Sequence, residues 1–108
     1  MGADGQPQIH LQTYTAMIDF GCDIQEALEA PRWLSGRFAL GEARDTLNLE
    51  GRFALATIDE LSLRGHAINR WPDWDESAGH AHGITIDLES GVRMGGADPR
   101  SDGAAIGY

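Results

Sequence analysis

The chain has 108 residues, 42% of them apolar, and its eight basic residues (all arginine) stand against seventeen acidic ones for a formal charge of −9. That length suits a single domain, 1–108, with one modest core burying about 65% of the unfolded surface. The charge balance excludes the clustered positive surface that nucleic acid or an anionic membrane would require, no apolar run approaches the ~18 residues of a membrane span, and no segment has the pattern of a signal peptide, so the compartment stays open.

Ile9, Thr13, Ala16, Met17 and Phe20 recur at helical spacing, and Leu11, Tyr14 and Ile18 form a second stripe. A helix is therefore expected from about Gln6 to Phe20, stopped by Gly21. Two stripes imply cover on both sides, or one side that meets something outside this chain. Cys22 has no internal partner and reads as a structural thiol. Asp23-Ile24-Gln25-Glu26 has capping-box spacing and opens a short helix that Pro31 ends. Phe38 with Leu40, and Leu47 with Leu49, alternate as short strands, punctuated by Gly36, Gly41 and Gly51.

Thr57-Ile58-Asp59-Glu60 repeats the capping-box spacing, so Thr57 reads as a cap for a helix closed at Gly65. An edge strand is expected near Ala67–Arg70, then an acidic, aromatic loop over Trp71–Glu76. His82–Leu88 alternates clearly, with Ile84, Ile86 and Leu88 on one side. Glu89-Ser90-Gly91 turns the chain and Val92–Met94 returns as the second arm of a hairpin. This order predicts an α+β fold, with helices packed on a mainly antiparallel sheet.

No threonine here can act as an N-terminal nucleophile, because Thr13, Thr15, Thr46, Thr57 and Thr85 are all internal. His80 and His82 would share a strand face and could chelate a metal, with His66 and Asp87 near in sequence. Structural or surface histidines are the favoured reading, and no cofactor is expected. Trp33, Trp71 and Trp74 suggest an interface or the rim of a core. Asp98 and Arg100 are expected to pin the C-terminal tail by a salt bridge or backbone hydrogen bonds, with Pro99 fixing its direction.

Four ordered stretches resemble the γ-glutamyltransferase family: Gly2-Ala3-Asp4-Gly5-Gln6 leading into a helix; Asp19-Phe20-Gly21 with Glu26-Ala27 and Ala30-Pro31-Arg32; Leu61 with Arg64-Gly65-His66; and Gly95-Gly96-Ala97-Asp98-Pro99-Arg100 with Asp102-Gly103 and Gly107-Tyr108. The resemblance spans the chain but covers only about the C-terminal half of the family's small subunit. It implies part of the αββα sandwich of N-terminal nucleophile hydrolases, without the half that bears the nucleophilic threonine. Family members hold the oxyanion with two adjacent backbone N–H groups, and Gly2 and Ala3 match those positions, Ala3 replacing a glycine.

The resemblance implies a parent that transfers or hydrolyses γ-glutamyl groups of glutathione-like amides, and a chain that is inactive alone. Its partners would be the remainder of the parent chain and, in the parent, a γ-glutamyl substrate. A face orphaned from that remainder should make the isolated chain self-associate. Some family members are periplasmic or secreted. The alternatives are a fragment of a related acylase, such as a cephalosporin acylase, and a non-enzymatic interaction module.

Overall fold

Pro7 lies in the first turn of helix α1 (Gln6–Ile18), where its missing N–H leaves no hydrogen bond unmade. The computed structural model describes residues 3–37 and 43–108. Asp19 caps α1, and Gly21 turns the chain away at φ +71°, a region glycine enters without steric penalty. Of the two apolar stripes only Ile9 is buried. Phe20 falls beyond the helix end, and Leu11, Tyr14 and Ile18 face solvent.

Helix α2 (Ile24–Glu29) starts as its sequence predicts. The Glu26 amide donates to the Asp23 carboxylate, and the Asp23 amide donates to Glu26, both at 2.8 Å. It ends at Ala30, ahead of Pro31. Strand β1 (Trp33–Ser35) was not expected, since three residues carry no periodicity. The candidate strand at Phe38 and Leu40 lies outside the described residues.

Strand β2 (Thr46–Glu50) is central: β1 pairs with it antiparallel, and β3 (Ala67–Trp71) pairs with it parallel. A parallel pair needs a crossover, and α3 (Leu55–Leu63) supplies it. Helix α3 starts earlier than its Thr-x-x-Glu spacing suggests. Ala54 is the N-cap, and the Thr57 amide already bonds the Ala54 carbonyl at 3.0 Å, so Thr57 is a residue of the first turn and not a cap. Its exit follows expectation. Gly65 sits at φ +93°, with its amide on Ser62 (2.9 Å) and the His66 amide on Leu61 (3.2 Å), a Schellman closure.

Strands β4 (His82–Ile86) and β5 (Arg93–Ala97) form a separate antiparallel hairpin. The fold is thus α+β, and among the described residues two of the three strand pairings are antiparallel. Leu47 and Leu49 of β2 pack with Ile58 of α3, flanked by Trp33, Phe53, Leu61 and Ile68. Helix α2 packs on the hairpin instead. A Cβ at Gly96 would stand 2.9 Å from Leu28 Cδ1 and 3.3 Å from the Gln25 amide nitrogen, so glycine permits the approach. The radius of gyration is 15.2 Å, against about 13 Å for a compact domain of this length.

Candidate functional site

Strand β2 alternates leucine with polar residues, a pattern that normally turns the polar side to water. Here the polar side is buried as well: Asn48 and Glu50 have no solvent exposure. Asn48 donates to the carbonyls of Leu34 (3.1 Å) and Gly36 (3.0 Å) and accepts from Asn69 (2.9 Å). Glu50 anchors a larger polar centre built where α2 ends.

Four donors converge on the Glu50 carboxylate. Arg100 Nε reaches Oε1 at 2.6 Å, while Arg100 Nη2 (2.5 Å), the Arg32 amide (2.8 Å) and Arg52 Nη2 (2.9 Å) reach Oε2. Asp98 bridges two of these arginines, at 2.7 Å to Arg32 and 3.0 Å to Arg100, and accepts the Ala81 and Arg100 amides. The same arginines cap α2. Arg32 and Arg100 donate to the Leu28 carbonyl, Arg52 to Glu29, and Arg100 also to Ala30. Trp74, held at φ +57°, lies under the Arg52 guanidinium, 3.3 Å from ring centroid to Cζ.

Three guanidinium groups face two carboxylates, a surplus of one positive charge (3 − 2 = 1) that the carbonyl end of α2 partly offsets. Burial alone would raise the Glu50 carboxyl, but the Arg100 hydrogen bonds, the Arg32 amide and the charges of Arg100 and Arg52 outweigh it, and its pKa falls below the ordinary value. Asp98 follows the same balance: burial opposes ionisation, while the Ala81 and Arg100 amides and the two arginines win. Burial and the charge of Arg100 lower Arg32. Arg100 is raised, since its contacts with Glu50 and Asp98 overcome burial. A carboxylate that is ionised and saturated with donors is a weak base, so this centre is a clamp and not a catalytic dyad.

Asp98 and Arg100 do pin the tail, as their sequence suggests. Sequence reasoning missed the residues they bind. Arg32 lies in the Ala-Pro-Arg stretch without an assigned role, and Glu50 was not singled out. The usable signal was the acidic residue on the same strand face as Asn48, beside an unusual share of arginine. Of the expected oxyanion pair, Gly2 lies outside the described residues, and Ala3 opens a 3-10 turn, Ala3–Gly5, just before α1.

The two histidines sit in different surroundings. His80 precedes β4, and its Nε2 is buried without a partner; His82, on the strand, packs against Gly103. Among the described residues no group of three His, Cys, Asp or Glu side chains could hold a metal. The tryptophans do not make one patch: Trp33 belongs to the core, Trp71 ends β3 and Trp74 covers the arginines.

The family model for gamma-glutamyltranspeptidase matches residues 1–108. The chain belongs to that family. It is 45% identical over all 108 residues to the oxamate amidohydrolase proenzyme of Klebsiella pneumoniae, and 44% identical over 106 residues to the glutathione hydrolase-like YwrD proenzyme of Bacillus subtilis. It covers 100% and 98% of itself in these matches but spans only 20% of the length of either relative. Among solved structures, the cephalosporin acylase from Bacillus halodurans superposes with a TM-score of 0.77 at 33% identity, over 94% of this chain and 18% of that one. The fold is therefore that of the gamma-glutamyltranspeptidases and related acylases.

Proposed function

We propose that this chain is a C-terminal portion of an amide hydrolase or transferase of the gamma-glutamyltranspeptidase type, a single structural unit over 1–108 that is inactive on its own. One observation carries the reading: the family match is unbroken along the chain, yet the matched relatives are about five times as long. The described polar centre supports it too, since both of its carboxylates are held by arginines and backbone amides and neither is placed to act as a base. In this reading the chain contributes two things to the parent. The Gly2 and Ala3 amides are the oxyanion donors, the role that two backbone N–H groups fill where charge develops on the substrate oxygen. The Glu50 clamp fixes the end of α2 and the tail to β2. The threonine nucleophile and the groups that bind the substrate's polar end belong to the remainder of the parent.

The substrate class we favour is a small amide with a carboxylate end, γ-glutamyl or oxamate-like, because the two proenzymes of those names are almost equally similar to this chain. The acylase likeness keeps a larger acyl group as the second reading. The test is complementation. The chain is mixed with the Klebsiella proenzyme lacking its matching segment, and release of ammonia from oxamate and of nitroaniline from a γ-glutamyl anilide is followed. Turnover is expected only in the mixture. Turnover by the purified chain alone would overturn the reading.

A further inference from the structure

Glutamine side chains close strand edges at two places in this fold. On α1, Gln8 and Gln12 lie one turn apart. Gln12 donates to the Trp33 carbonyl (2.8 Å) and accepts the Trp33 amide (3.1 Å); Gln8 does the same for Ser35 (2.9 and 2.8 Å). These are the bonds a neighbouring strand would make, so β1 has no outer edge left to extend. On α2, Gln25 pairs with both the amide and the carbonyl of Ala97 at 3.0 Å, closing that end of β5.

The Gln25 pairing also fixes the directions within the hairpin. Ala97 points away from β4, and backbone directions alternate along an antiparallel ladder. In the observed register His82 faces Ala97, Ile84 faces Gly95 and Ile86 faces Arg93. The bonds between the strands therefore run through Gly83 with Gly96 and Thr85 with Met94, and the series continues in the Asp87 amide on Val92 at 2.9 Å. The backbone amides and carbonyls of His82, Ile84 and Ile86 point outward along the free side of β4, with no partner among the described residues.

Nothing in β4 protects that edge. It has no proline, no lysine and no break in register, and Ile84 and Ile86 are 69% and 54% exposed. The tail touches the same face at His82, through Gly103, and at Gly95, through Ala105, but makes no hydrogen bond with the edge. A two-stranded sheet is marginal alone.

We propose that the outer edge of β4 receives an extended strand from the parent polypeptide outside these 108 residues, so that β4 becomes an internal strand. The occupant rests on the functional reading above. It is favoured over a second copy because about four-fifths of the length of each curated relative lies beyond the match. The incoming strand would carry apolar, β-branched residues on the side of Ile84 and Ile86, which pack best across strands.

Ile84→Pro isolates the edge. It removes one outward N–H and leaves the bonds between β4 and β5 intact, whereas Thr85→Pro would break one of them. With the truncated Klebsiella proenzyme as probe, Ile84→Pro should keep the far-UV circular dichroism of the wild type and bind about tenfold more weakly, or worse. Amide exchange supplies a readout independent of that variant. Ile84 and Ile86 should exchange freely in the chain alone and be protected in the mixture, while Trp33, Ser35 and Ala97 are protected in both. Binding by Ile84→Pro equal to wild type, or a complex in which Ile84 and Ile86 stay unprotected, overturns the strand site and leaves the functional reading standing. Protection that grows with the concentration of the chain alone assigns the edge to a second copy and overturns the occupant. A wild-type chain that binds no probe removes the functional reading together with the occupant.

Discussion

Replacing Glu50 with glutamine tests whether the buried clamp holds this fold together. The side chain keeps its shape but loses its charge. Of the two Glu50 oxygens, one accepts from Arg100 Nε and the other from three donors, the Arg32 amide, Arg52 and Arg100 Nη2. The best rotamer of the introduced glutamine keeps its oxygen on the three-donor side and turns its NH2 toward Arg100 Nε, donor against donor. Three charge-assisted bonds become weaker neutral-acceptor bonds, one is lost, Arg52 loses its counter-ion, and Arg100 is left with Asp98 alone. Removing one partner of a buried ion pair costs about 3–5 kcal/mol, and each hydrogen bond to a charged group contributes about 1.5–3 kcal/mol, so the expected loss is ~4 kcal/mol. That is a large share of the ~5–15 kcal/mol that a domain has in total.

Urea unfolding followed by fluorescence of Trp33, Trp71 and Trp74 reads this directly. With a slope near 1–3 kcal/mol/M, the midpoint should fall by about 2 M. Glu60→Gln is the control, because its pair with Arg64 is an exposed i,i+4 contact expected to contribute no more than ~0.5 kcal/mol. A Glu50→Gln midpoint shift no larger than that of Glu60→Gln would refute the clamp.

Glu50 and Asp98 have folded pKa values below the ordinary carboxylate range, so the stability they supply is complete above about pH 4 and is lost as pH falls through their lowered values; urea midpoints from pH 7 to pH 2 should be flat and then drop. Gln12→Ala removes two bonds to Trp33 and should destabilise by about 2 kcal/mol, with faster amide exchange at Trp33. Gly96→Ala pushes a methyl toward Leu28 and the α2 backbone and should lower the urea midpoint by about 1–3 kcal/mol equivalent. Asp23→Ala breaks the capping box, for a loss of about 1 kcal/mol in the same assay.

Local signals in the sequence carried well. The capping box at Asp23, the glycine stops at Gly21 and Gly65 and the β4–β5 hairpin depend on neighbouring residues, and each is found. Thr57 shows the limit of such signals: a Thr-x-x-Glu spacing inside the first turn resembles one that begins it. Features made across long separations were not legible. Strand β1 is defined by β2 and by two glutamines on α1, not by its own three residues. The parallel pairing of β3 depends on a crossover, which strand propensity does not encode. The apolar side of β4 was legible as apolar, yet it stays exposed, because alternation specifies a face and not what covers it. The clamp was half legible: the Asp98 and Arg100 spacing marked a pinned tail, while Glu50 looked like the solvent side of an ordinary strand.

The clamp also has a timetable. Glu50 meets Arg100 across 50 positions, and Arg100 meets the Leu28 carbonyl across 72. During synthesis at about 5–20 residues per second, α2 and β2 are made several seconds before Asp98 and Arg100 exist to receive them. In that interval Glu50 has only Arg32 and Arg52 as partners, and the end of α2 lacks part of its cap. The nascent chain therefore cannot close its polar centre one element at a time. Closure waits for a short stretch at positions 98–100, so damage or delay there reaches elements that were made first.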